Sequence, residues 1–111
     1  MDLDLTPKEE TYRIGGRDYT LVEPSEDAAC RWRNLATSKA KMQDGKVVGM
    51  DGIADVQPYL VSLCLFEETD KGRVAVPLSV VRGWPARVVK VLFERAKELG
   101  DLDERGEPAK N

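Results

Sequence analysis

Carboxylates stand close together at Glu67-Glu68 and at Asp101 and Asp103. A thiol sits beside a guanidinium at Cys30-Arg31, and glycines gather at Gly15-Gly16 and at Gly45, Gly49 and Gly52. Paired acids do general acid–base work when a cleft drives their pKa values apart. These pairs fall in a turn-like and a terminal stretch, where solvated charge is the favoured reading. A reactive thiol needs an electropositive setting such as a helix N-terminus. Cys30 lies inside a helical stretch, so burial is favoured. Gly15-Gly16 lacks the G-x-x-x-x-G-K-[ST] frame of a phosphate loop, and the other glycines lack G-x-G-x-x-G spacing. "QDGKVVGMDG" has neither a D-x-D-x-D-G run nor a closing acid, so no EF-hand is expected. The chain contains no histidine, which removes the commonest general base and the commonest transition-metal ligand. The expectation is a non-enzyme with no catalytic residue, cofactor or metal.

The bulk properties agree with that. The chain has 111 residues, of which 41% are hydrophobic and 33% charged, the make-up of one globular domain with a modest core. Its net charge of −3 sets up no field towards nucleic acid or an acidic membrane. No apolar run approaches the roughly 20 residues that span a bilayer. The start, "MDLDLTPKEE", lacks the basic and apolar regions of a signal peptide, so a cytoplasmic protein is expected. Cys30 and Cys64 are far apart. Their spacing leaves a disulfide open, with a reduced pair of small buried hydrophobes the favoured alternative.

The elements follow from spacing. Residues 1–9 read as a flexible arm, 10–100 as one globular domain, and 101–111 as a flexible polar tail. "ETYRIGGRDYTLVEP" gives a hairpin over 10–23 with a Gly15-Gly16 turn, in which Tyr12 faces Tyr19 and Arg13 faces Asp18. Tyr12, Ile14, Tyr19 and Leu21 then share one face. Ser25 caps a helix over about 26–42, with Trp32 on its apolar stripe and Arg31, Arg33, Lys39 and Lys41 on a solvated face. The "DG" segment after it reads as a loop or short hairpin.

The run over 57–67 suits a central buried helix or a buried strand, and the helix is favoured by its length and leucine content. "RVAV" is a short strand, and "LSVVRG" a helical turn. A second long helix over 85–99 places Pro85 at its first position and Gly100 at its end. Val88, Leu99, Leu92, Pro85, Ala96, Val89 and Phe93 make an apolar arc of roughly 140°. Lys90, Glu94, Lys97 and Glu98 lie opposite, and Val91 falls outside it. A core-facing stripe need be only somewhat over 100° wide, so the margin is surplus. The fold class is therefore α+β, mainly α: an N-terminal hairpin on a small helical domain with an amphipathic C-terminal helix.

Tryptophan suits cores and interfaces alike. Trp32 reads as core, whereas Trp84 either caps the core or stands at its rim. The candidate partner-binding residues are Trp84, Val91 and Phe93, along the edge of the last helix.

The order of features, above all "CLFEETDKGRVAVP" and "GWPARVVKVLFERAKEL", resembles the tail assembly chaperones of long-tailed bacteriophages, of the lambda G-protein type. The likeness runs over about residues 12–111. It implies a non-enzymatic role in the bacterial host cytoplasm, with tape measure protein and tail-tube protein as partners and absence from the finished virion. Self-association is a further possibility. The rival readings are a structural virion component and a small nucleic-acid-binding regulator using Arg31, Arg33, Lys39 and Lys41.

Overall fold

A computed structural model of the chain describes residues 1–39, 42–43, 46–47 and 56–102. Strands β1 (Glu9–Ile14) and β2 (Arg17–Val22) form the expected hairpin about Gly15 and Gly16, whose φ angles are 57° and 81°. Two positive φ angles are what a two-residue type I′ loop demands. The loop fixes the register, so Tyr12 pairs with Tyr19 and Arg13 with Asp18. Alternation turns Tyr12, Ile14, Tyr19 and Leu21 towards the helices. The first strand begins at Glu9, which was expected to belong to the arm.

Ser25 caps α1 (Glu26–Lys39), its hydroxyl oxygen accepting the Ala28 N–H at 3.1 Å. The helix stops before the expected limit of 42, because Met42 belongs to β3 (Met42–Gln43), which pairs antiparallel with β4 (Lys46–Val47). Residues 40–41, 44–45 and 48–55 lie outside the described residues, and with them most of the "DG" segment.

The run expected as one helix over 57–67 is divided. It is helical in α2 (Val56–Cys64) and passes at Leu65 directly into β5 (Leu65–Thr69). The cause is not local. Leu65 and Phe66 stand opposite Leu21 and Thr20 of β2, and that pairing satisfies the backbone of both strands. A turn leads to β6 (Gly72–Ala75), which pairs with β5. The hairpin is thus half of a four-stranded antiparallel sheet in the order β1-β2-β5-β6, and the fold is α+β as expected.

Two helices end the described chain, α3 (Leu78–Arg82) and α4 (Ala86–Gly100). Pro85 is the N-cap of α4 instead of its first residue, and Asp101, not Gly100, takes the left-handed C-cap conformation at φ 53°. The Asp101 N–H donates to Glu98 at 3.2 Å and the Leu102 N–H to Lys97 at 2.9 Å, a Schellman-type ending. Gly100 serves a different need. A Cβ there would stand 2.5 Å from Pro24 Cγ, so the missing side chain lets the end of α4 close on the segment leaving β2. The expected tail also starts later, since Leu102 packs against the core. Residues 103–111, and with them Asp103, lie outside the described residues.

Helix α2 occupies the centre, in contact with α1, α3, α4 and the sheet. Trp32 is fully buried, as expected of core. Its indole N–H donates to the Val56 carbonyl at 2.9 Å, and its ring meets Phe93 edge-on at 5.6 Å. Both cysteines are free; Cys64 is buried and Cys30 only half-buried. Lys97, expected on the solvent face of α4, is buried. Its ammonium lies 4.6 Å from the Phe93 ring centroid and 3.4 Å from Glu94. A lysine four residues after Phe93 can lay its methylene stem along apolar surface and still bring its charge to a partner.

Candidate binding surface

Two side-chain contacts bracket the junction between the hairpin and the α4 region. At one end the Arg95 guanidinium grips both oxygens of Glu10, with Nε donating at 3.0 Å, and also reaches Glu98. The Tyr12 hydroxyl donates to the same Glu10 carboxylate at 2.8 Å. Arg95 first, and Tyr12 second, hold the Glu10 carboxyl below its ordinary range, while burial and then Glu10 push the Tyr12 hydroxyl up. At the other end Trp84, in the bend between α3 and α4, meets the buried Tyr19 ring edge-on, with centroids 5.4 Å apart. Burial there raises the Tyr19 hydroxyl.

Between these contacts a strip of apolar surface stays open. A groove of about 420 Å³ runs between β1 and α4, lined by Tyr12, Ile14, Val88, Val91 and Leu92. It continues into a hollow of about 450 Å³ where Ile14 and Val88 are joined by Tyr19, Val80, Trp84 and Pro85. Val91 is 55% exposed and Val80 43%. The charged residues lining groove and hollow are all arginines, Arg13, Arg17 and Arg87, although the chain as a whole carries −3. Arg13 lies 3.4 Å from Asp18 and Arg17 lies 3.6 Å from Glu67.

Of the three residues expected at a contact surface, Trp84 and Val91 line this strip. Phe93 does not: it is 3% exposed, with Trp32 against its edge and Lys97 over its face. Both readings of Trp84 meet in one residue, since its half-buried ring touches the core and lines the hollow. Tyr12 and Ile14 were legible as the apolar face of the hairpin but not as groove residues. Only the strand order, which makes β1 an edge, reveals that role.

The remaining candidates are engaged elsewhere. Glu67 and Glu68 point to opposite faces of β5, as neighbours on a strand must, and Glu68 lies 2.7 Å from Arg73. Arg73 also crosses the solvent face of the sheet to donate to Glu9 at 3.1 and 3.2 Å. Arg31 pairs with Asp27 at 2.9 Å and Arg33 with Glu26 at 3.9 Å, while Lys41 lies outside the described residues. Burial pushes the Cys64 thiol up to about 12, away from the thiolate that would react. Among the described residues, no group of three or more His, Cys, Asp or Glu is placed to hold a metal, and no helix is long and apolar enough to cross a membrane.

With this arrangement in hand, the chain can be set beside known proteins. Its fold is similar to that of the tail assembly chaperone of bacteriophage HK97, with a TM-score of 0.54 and 21% sequence identity over 84% of this chain and 85% of that one. No protein-family model matches the chain, and no curated protein matches it. The likeness is one of fold, shared over most of both chains.

Proposed function

We propose that this chain is a tail assembly chaperone of a long-tailed bacteriophage, of the lambda G-protein type. It would bind tape measure protein and tail-tube subunits in the bacterial host cytoplasm and be absent from the mature virion. The observation that carries the reading is the fold shared with the HK97 chaperone over most of both chains. A fold alone does not specify an activity, and the surface supplies the physical mechanism. A tape measure protein is long and helical, with apolar stripes that would aggregate before the tube encloses them. The open strip from Trp84 to Val91 suits such a stripe by helix-in-groove packing, with the arginine rim meeting acidic flanks. Each contact is small, so binding gains its strength from many copies along one long partner and release stays easy.

The test is co-purification of tape measure protein with the chain and with its Trp84→Ala and Val91→Asp variants. A tenfold or greater loss of recovery is expected, the scale of a lost interface anchor, with circular dichroism showing that the variants are folded. Full recovery with both folded variants would reject this surface. Mass spectrometry of purified virions is expected to find none of the chain, and stoichiometric amounts would replace the chaperone reading with that of a structural component.

A further inference from the structure

We infer that the outer face of the sheet holds a docking site for a lysine side chain of a partner polypeptide, built from Asp18, Thr20 and Glu68. These side chains lie on the face of the sheet turned away from the helices, and the inference does not rest on the chaperone reading.

The strand register sets the site up. Arg13 stands opposite Asp18 across β1 and β2, and Glu68 opposite Arg73 across β5 and β6. Tyr19 faces Glu67 across β2 and β5, so one step further on Asp18 faces Glu68. One row over the four strands therefore reads arginine, aspartate, glutamate, arginine, with the two carboxylates side by side in the middle. Like charges directly opposite one another destabilise a sheet. The flanking arginines relieve only part of this. Arg13 lies 3.4 Å from Oδ1 of Asp18 and Arg73 lies 2.7 Å from Oε1 of Glu68. The other oxygens, Oδ2 and Oε2, have no partner among the described residues.

The next row supplies a third oxygen. Thr20 stands between Thr11 and Phe66 and is only 2% exposed. Its hydroxyl has no hydrogen-bond partner among the described residues, yet no fully buried side-chain N or O is left unpaired there. The Thr20 oxygen must therefore reach the surface through an opening. That opening is a depression of about 400 Å³, whose lining includes Thr11, Arg13, Asp18, Thr20 and Glu68. Three unpartnered oxygens thus border one polar depression.

An ammonium group suits them. It is a compact point charge with three donors, one for each oxygen. A guanidinium gains most by gripping both oxygens of one carboxylate, and here one oxygen of each is taken. A divalent ion asks for about six oxygens or more, and among the described residues no group of three or more His, Cys, Asp or Glu is placed to supply them. The long flexible stem of lysine carries its charge down to Thr20 from a backbone lying over the exposed face. Arg13 and Arg73, at the two ends of the row, admit one cation and repel a second, so the partner presents a single lysine with no other cation beside it.

The test is NMR of the isotope-labelled full chain, titrated at low salt with the peptide acetyl-Gly-Lys-Gly-amide. A dissociation constant of about 1–10 mM is expected, with amide shifts centred on Asp18, Thr20 and Glu68. Asp18→Asn/Glu68→Gln should weaken binding at least tenfold, and Thr20→Val, which keeps the shape of the buried side chain, at least threefold. The two carboxylates stand at the surface, with side chains 67% and 41% exposed, so that double variant folds, as circular dichroism checks, and it decides the question alone should Thr20→Val misfold. Peptides carrying Nε-acetyl-lysine or arginine in place of lysine should shift these amides several-fold less. Absence of the shifts, parental affinity in a folded variant, equal binding of either control peptide, or displacement of the lysine peptide by an equal concentration of calcium would each overturn the inference.

Discussion

Replacing Gly100 by alanine should destabilise the protein, against the usual rule for glycine in a helix. Gly100 is the last residue of α4 and has no positive φ, so alanine would ordinarily gain up to about 1 kcal/mol of helix propensity. The added Cβ would stand 2.5 Å from Pro24 Cγ, 3.1 Å from Pro24 Cδ and 3.3 Å from Leu102 Cγ. Carbon atoms pack at about 3.5–4.0 Å, and a proline ring cannot swing aside as a flexible side chain would. The end of α4 must therefore move away from the segment leaving β2. Overpacking of this kind costs about 1–3 kcal/mol, which even against the full propensity gain leaves a net loss of up to about 2 kcal/mol and a fall in Tm of up to roughly 10 °C. Gly83→Ala is the control. Gly83 caps α3 at φ −83°, and its Cβ would meet Val80 O at an ordinary 3.4 Å. Stability there should hold or rise by up to about 1 kcal/mol, through the smaller entropy of the unfolded chain. Thermal and urea unfolding followed by circular dichroism separates the two. A Gly100→Ala protein as stable as the parent would refute the close approach of α4 to Pro24. With it would go one of the contacts that set α4 beside the hairpin.

Trp32→Phe should cost about 1–2 kcal/mol in urea unfolding, because it removes the N–H bond to Val56 and part of the edge contact with Phe93; an unchanged midpoint would contradict that anchoring role. Glu10 and Glu9 have carboxyls depressed by Arg95 and Arg73 respectively. Their stabilisation is therefore present above the unfolded value near 4.5 and lost as pH falls through the lower folded values. Tm measured downward from pH 7 should drop below that point, less steeply in Glu10→Gln, and an identical slope in the variant would remove Glu10 from the account. With its thiol pushed up to about 12 and its side chain buried, Cys64 should resist a thiol reagent at pH 8 until urea unfolds the chain, while half-buried Cys30 reacts in the native state. Rapid native labelling of Cys64 would show that the core opens there.

The parts legible in the sequence are those where a local rule leaves no choice. A two-residue Gly-Gly loop sets the parity of both flanking strands, so the Tyr12–Tyr19 pairing and the apolar face follow from the turn alone. Ser25 caps α1 by its own hydroxyl, and Trp32 sits on a stripe that can only face inward. The errors arise where a distant partner decides. Tyr59 to Phe66 is apolar except for Ser62 and carries no glycine or proline, so nothing nearby marks the change at Leu65 from α2 to β5; pairing with β2 imposes it. The C-terminal helix is the instructive case. Its periodicity measures how wide an apolar arc it offers, and an arc wider than one neighbour can cover needs more than one. α2 packs along it, α1 reaches the Phe93 margin through Trp32, and the hairpin lies alongside Val88 and Leu92. Val91 stays bare because β1 is the end strand and nothing in the described fold lies beyond it. Which margin of an amphipathic helix remains open is set by where its neighbours stop, and here they stop at a strand edge rimmed with arginine. A bare apolar margin beside unpaired backbone groups is costly to leave in water, and that cost is the physical reason to expect another polypeptide there.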